Sequence, residues 1–100
     1  MTGWITGEVL ITHDIGLHAR PSVKLTKLAK GYSCKIEIGE SPVGPWIDAK
    51  SIVKVMAMKA KQNTTLHIRA SGDRATAAVD AVKHLVMHDF DEDRVHAAGS

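Results

Sequence analysis

Cysteine is nearly missing: Cys34 stands alone in 100 residues, so no internal disulfide can form. A reducing, cytoplasmic compartment is expected on that ground. Aromatic residues are almost as scarce, at 4%. That points to a small aliphatic core and argues against a surface that stacks bases or sugars on rings. No apolar run approaches the ~18 residues of a membrane-spanning helix, and residues 1–5 do not read as a signal peptide. Charge of one sign is lacking too. Lys and Arg number 13 against 11 Asp and Glu, for a net charge of +2. With a pI near 8.8 the chain is too weakly basic to imply nucleic acid. What is present is 44% hydrophobic and 24% charged, with no repeat, low-complexity tract or Gly/Ser linker. That composition is a globular domain's, and this length holds one core. One domain over 1–100 is expected, its core spanning about 7–90, with the aperiodic residues 91–100 fraying.

Periodicity divides the chain into seven elements. Val9 and Ile11 alternate with polar neighbours over 8–13, as in a half-buried strand. Asp14, Ile15 and Gly16 read as a turn, after which the period becomes helical. Ala19, Ser22, Leu25, Leu28 and Ala29 mark an inward face, and Gly31 follows the last lysine as a terminator. Pro21 fits this helix if it lies in the first turn. Cys34, Ile36 and Ile38 alternate as a second strand. After the turn-rich 41–45 comes a short third strand over 46–49, completing a hairpin. A short helix is predicted over 51–58 and a fourth strand over 64–70. A last helix over 73–90 carries Ala78, Val79, Val82, Leu85, Val86 and Phe90 on one stripe. The order is βαββαβα, class α+β. Each strand has one apolar face, which predicts a four-stranded antiparallel sheet with three helices on one side.

The segment Gly16-Leu17-His18-Ala19-Arg20-Pro21 carries the chemistry. His18 stands at the N-cap, where Ser, Thr, Asp or Asn normally satisfies the free amides of the first turn. Histidine does this badly, so the amides stay available to another acceptor, and an anion is the natural one. Arg20 adds a guanidinium fork suited to phosphate oxygens. An imidazole, a helix terminus and an arginine within three residues can both attach a phosphoryl group and hold it. A core or unstructured histidine is the plain alternative.

These residues resemble the active-site signature of the HPr family, the histidine-containing phosphocarriers of the bacterial phosphoenolpyruvate–sugar phosphotransferase system. Lys50-Ser51-Ile52-Val53-Lys54-Val55-Met56 is similar to the stretch around that family's regulatory serine. Ile68-Arg69-Ala70-Ser71-Gly72 resembles the end of its last strand. The likeness runs from about Gly7 to His88, and the element order matches the family's open-faced β-sandwich. It implies that His18 takes a phosphoryl group, through Nδ1, from phosphorylated Enzyme I. The group then passes to the A domain of a sugar permease or to a regulatory counterpart. Arg20 would bind the phosphate, and Ser51 would be modified by an HPr kinase/phosphorylase where one exists. The chain is then a monomeric carrier rather than an independent turnover enzyme, with no cofactor, no metal, no nucleic acid and no membrane insertion.

A docking surface is expected around His18. Leu17 and Ala19 flank it, Lys24, Lys27, Lys30 and Lys54 ring it with positive charge, and Ile52, Val53 and Val55 or Met56 supply an apolar centre. Without the resemblance, the lysines are a solvated face and the apolar residues are core. Ser51 reads equally as the N-cap of the short helix. His13, His67, His84, His88 and His96 suggest no metal site, since only His84 and His88 share a helical i, i+4 spacing. Cys34 reads as a buried structural thiol. Departures from the family pattern are a longer loop at 41–45 followed by Trp46, Met58-Lys59 after the second helix, and Asn63 where glycine often turns the chain. They leave open which permease or regulator is served. The alternatives are a regulatory phosphocarrier of a nitrogen-related branch and a detached domain of a multiphosphoryl transfer protein.

Overall fold

The computed structural model describes residues 3–13 and 16–90. Its elements are β1 (Ile5–Leu10), α1 (Ala19–Lys30), β2 (Lys35–Gly39), β3 (Ile47–Asp48), α2 (Ile52–Met58), β4 (Thr65–Ser71) and α3 (Ala75–Met87). All strand pairs are antiparallel, in the spatial order β1-β4-β2-β3. Three helices cover one face of this sheet and leave the other open, as the periodicity predicts. The turn residues Asp14 and Ile15, and the tail over 91–100 with His96, lie outside the described residues.

Strict alternation on β4 sets the core. Leu66, Ile68 and Ala70 are fully buried, while Thr65, His67 and Arg69 take the opposite face. Register places Ile36 and Ile38 of β2 beside Ala70 and Ile68, so four inward side chains meet in one patch. Val79, Val82 and Val86 of α3 and Leu25 and Ala29 of α1 complete that core. A Leu or Ile buried in this way contributes about 1.5–3 kcal/mol relative to exposure.

The first strand begins earlier than its sequence pattern suggests, at Ile5 rather than residue 8. Pairing with β4 explains the shift: Ile5 faces Ala70, Gly7 faces Ile68 and Leu10 faces Thr65. Gly7 hides the alternation because its inward position has no side chain. A Cβ there would sit 2.8 Å from Val79 Cγ1 and 3.1 Å from Lys83 Cδ, so α3 can lie on β1 only over a glycine. Val79 is stiff at χ1 and cannot swing aside. Gly7→Ala is therefore expected to cost about 1–3 kcal/mol. A urea midpoint lowered at unchanged slope would show it.

The other boundaries move by small amounts. β3 is only two residues long, and α3 stops at Met87, short of the predicted 90. Asp89 and Phe90 have φ of 53° and 61°, so the chain turns sharply there while Phe90 stays buried. Asn63 takes the left-handed conformation, φ 72°, as expected of an asparagine in a glycine position. One expectation is overturned. The open sheet face does carry aromatic rings, because Trp4 and Trp46 flank Arg69 from either side of β4. The guanidinium carbon lies 4.1 Å from one ring centroid and 4.4 Å from the other. Trp4 precedes β1, and β3 begins only at Ile47, so Trp46, expected to open that strand, lies just before it and its ring reaches Arg69 from the loop.

Candidate functional site

His18 is the N-cap of α1, in extended conformation (φ −87°, ψ −167°), and its side chain makes no capping hydrogen bond. The residue is exposed. Its carbonyl accepts the first helical bond, from Ser22 N at 2.9 Å. The amides of Ala19 and Arg20 therefore have no acceptor within the helix, and Pro21 in the first turn brings no N–H at all. No acidic side chain stands in the first turn to compete for these donors. Arg20 is exposed one residue beyond Ala19. An anion placed beside the imidazole would meet two peptide N–H groups and the positive end of a 12-residue helix, with Arg20 exposed in the same first turn.

Two contacts from outside the helix hold this entrance. Leu17 N donates to Ala60 O at 2.8 Å, and Gly16 N donates to His13 O at 3.0 Å. Gly16 has φ +75°, and a Cβ there would stand 2.5 Å from Ala60 O. The chain leaving α2 thus grips the residues just before His18. Sequence reading found Gly16 as a turn residue but not this grip, since nothing local pairs Gly16 with Ala60.

The structure divides the expected docking residues. Val53 is 73% exposed and Met56 41%, with Ile52 half-buried beside them. Val55 is fully buried and Leu17 is 2% exposed, so these two are core residues and offer no surface to a partner. Helix rotation decides between Val55 and Met56: position 55 turns into the core, and position 56 points out. Val23, 53% exposed on α1, is an apolar surface residue that the sequence reading omitted. It lies one residue before Lys24 and was passed over because it interrupts a polar stripe.

Arg20, Lys24 and Lys27 follow at helical spacings of four and three and form one stripe with Ala19 exposed above it. Lys24 is partly committed, because its Nζ donates to Phe90 O at 2.8 Å and ties α1 to the end of α3. Lys30 is exposed but sits in the last turn, about 18 Å from His18 at 1.5 Å per residue, too far to ring the imidazole. Lys54 is exposed on α2. Ser51 caps that helix, accepting from Lys54 N at 3.3 Å through Oγ. Its capping role is thus real. Among the described residues no cluster of three or more His, Cys, Asp or Glu could hold a metal, and no helix is long and apolar enough to cross a membrane. Cys34 is buried, as its alternation predicts.

Comparison with known proteins decides the family. A model described as the PTS HPr component phosphorylation site matches residues 5–88. The chain belongs to the HPr family. The phosphocarrier protein HPr of Pseudomonas aeruginosa is 35% identical over 85 residues, covering 85% of this chain and 93% of that one. A phosphocarrier protein NPr from Escherichia coli is 29% identical over the same length and coverage. The crystal structure of an HPr from Thermoanaerobacter tengcongensis superposes with a TM-score of 0.79 at 28% identity, covering 88% of this chain and 97% of that one. Phosphoryl carrying on an HPr fold is therefore the general role.

Proposed function

We propose that His18 is the phosphoryl acceptor, charged by phosphorylated Enzyme I and discharged to the A domain of a sugar permease. The observation that carries this reading is the exposed imidazole at an uncapped helix terminus. Near pH 7 a histidine offers a neutral nitrogen as nucleophile. That nitrogen attacks phosphorus, the bond from phosphorus to the donor breaks, and its electron pair stays with the donor. The product is a phosphoramidate, which a carrier must hold without trapping. A helix terminus typically contributes ~0.3–1 kcal/mol toward a neighbouring anion, about 2 in partly buried geometry. That orients the group and leaves transfer reversible. Arg20 adds charge-assisted hydrogen bonds from the same turn. The rest of the catalysis belongs to the partner, through in-line positioning and charge stabilisation.

Docking falls to the apolar centre of Val53, Met56 and Val23 edged by Arg20, Lys27 and Lys54. Such a surface selects an acidic partner and an association weakened by salt. Ser51 lies at its border as a regulatory phosphorylation site for an HPr kinase/phosphorylase. A phosphate there adds about −1.5 to −2 charges beside an acidic partner and weakens docking. Ser51→Asp is accordingly expected to slow phosphorylation by Enzyme I, with most of the effect in KM. Full transfer by that variant would remove the regulatory role.

The experiment for the main reading is incubation with phosphoenolpyruvate and Enzyme I, followed by addition of a permease A domain. One acid-labile phosphate per chain that drains to the A domain is the expected result. Label that forms but does not drain favours the second reading, a regulatory carrier of a nitrogen-related branch, for which the likeness to an NPr speaks. No label at all would overturn both.

A further inference from the structure

The longer loop at 41–45 and the tryptophan that follows it play no part in the chemistry of His18. With β1 and β4 they border a half-open surface cleft of about 580 Å³, lined by Thr6, Glu8, Pro42, Trp46 and His67 together with Gly7 and Ile68. Small-molecule sites commonly fall between ~300 and 1,000 Å³. By register, Thr6 faces Arg69 and Glu8 faces His67, so the polar lining belongs to the open side of the sheet, away from the helices and His18.

Trp46 is held in place before any ligand arrives. Arg69 stacks on its ring at 4.4 Å, and Gly44 lies so close that a Cβ would stand 2.9 Å from Trp46 Cδ1. Arg69 is fixed in turn by Glu37 Oε1, 2.8 Å from its Nε and 2.6 Å from Nη2, and by Trp4 on its other side. A wall immobilised by its neighbours loses little freedom on binding.

The lining also selects the charge of its ligand. Glu8 is the acidic side chain in the lining, no Lys or Arg joins it, and the nearby Arg69 is already paired with Glu37, so a phosphate or carboxylate finds no free cation there. A cation gains little more, because the Arg69 guanidinium already takes up the π-attraction of Trp46 and the exposed Glu8 carboxylate is screened by water. A neutral ligand remains. Glu8 accepts hydrogen bonds, the Thr6 hydroxyl both donates and accepts, and the His67 ring carries one of each. His67 Nδ1 lies 3.8 Å from Glu8 Oε2, too long for a direct hydrogen bond, so both groups keep capacity for hydroxyls. We propose that this cleft binds a neutral sugar, a pyranose whose C–H face rests on Trp46 and whose hydroxyls reach Glu8, His67 and Thr6.

The test is a titration of the full chain, labelled with nitrogen-15, with methyl β-D-glucopyranoside, glucose 6-phosphate and tetramethylammonium as probes. The glucoside is expected to give saturable shifts at the Trp46 indole N–H and the amides of Glu8 and His67, with Kd of order 1–10 mM. The phosphorylated sugar and the ammonium ion should bind more weakly. Glu8 is an exposed strand residue, so Glu8→Ala should fold normally while raising the glucoside's Kd on the order of tenfold. Shifts that rise linearly without saturating, that centre on His18, or that persist at equal affinity in Glu8→Ala would overturn the proposal. So would tighter binding by either charged probe.

Discussion

Replacing His18 by asparagine should yield a protein that is more stable than its parent and carries no phosphate. Asparagine is among the preferred N-caps, and its side-chain oxygen can accept from a first-turn amide that His18 leaves unserved. The gain expected from such a cap is about 0.5–2 kcal/mol. For a domain of this size each kcal/mol raises Tm by roughly 4–8 °C. The imidazole makes no capping bond and is exposed, so its removal sacrifices no buried contact. Labelling with phosphoenolpyruvate and Enzyme I should fall to background, since the amide nitrogen is not a nucleophile at pH 7. Together the two changes describe a residue kept for chemistry at the expense of stability. A His18→Asn protein that melts lower than the parent would mean the ring stabilises the helix start after all. One that still takes up phosphate would mean the acceptor lies elsewhere.

What could be read in the sequence follows the range of the interaction involved. β2, β4 and the two long helices announce themselves through alternation or a 3.6-residue stripe, because each buries one face against the same core. The start of β1 could not be read this way. Gly7 blanks the inward position, and only the packing of α3 over it explains why a strand tolerates glycine there. At the site, the poor cap at His18 and the position of Pro21 are local and were legible. The contact between Gly16 and Ala60 spans more than forty residues and was not. Leu17 and Val55 were misplaced for a related reason: an apolar residue beside an exposed one has no local sign of which way it turns. The same limit hid where the tryptophan rings go, since both reach Arg69 from segments just outside the observed strands.

Gly16→Ala is expected to damage carrying and stability at once, although Gly16 has no side chain to offer phosphate or partner. Its φ of +75° is a conformation L-residues adopt at a cost, typically about 1–3 kcal/mol when the surroundings enforce it. The added Cβ would also stand 2.5 Å from Ala60 O, and backbone cannot yield as a flexible side chain would. Relief requires the segment before α1 to move away from the end of α2. That movement breaks the 2.8 Å bond from Leu17 N to Ala60 O, which is what fixes the approach to His18. Positioning errors of about 1 Å can lower a transfer rate on the order of a hundredfold. The expected result is therefore a Tm lower by several degrees together with a reduced rate of phosphorylation from Enzyme I, measured well below the new Tm. Ala60→Gly serves as the comparison, because it preserves the carbonyl and removes only a buried methyl. If it loses as much transfer as Gly16→Ala, the grip on the backbone is not what positions the imidazole. If it loses stability but keeps transfer, the placement of His18 depends on that carbonyl and on the glycine that lets the chain approach it.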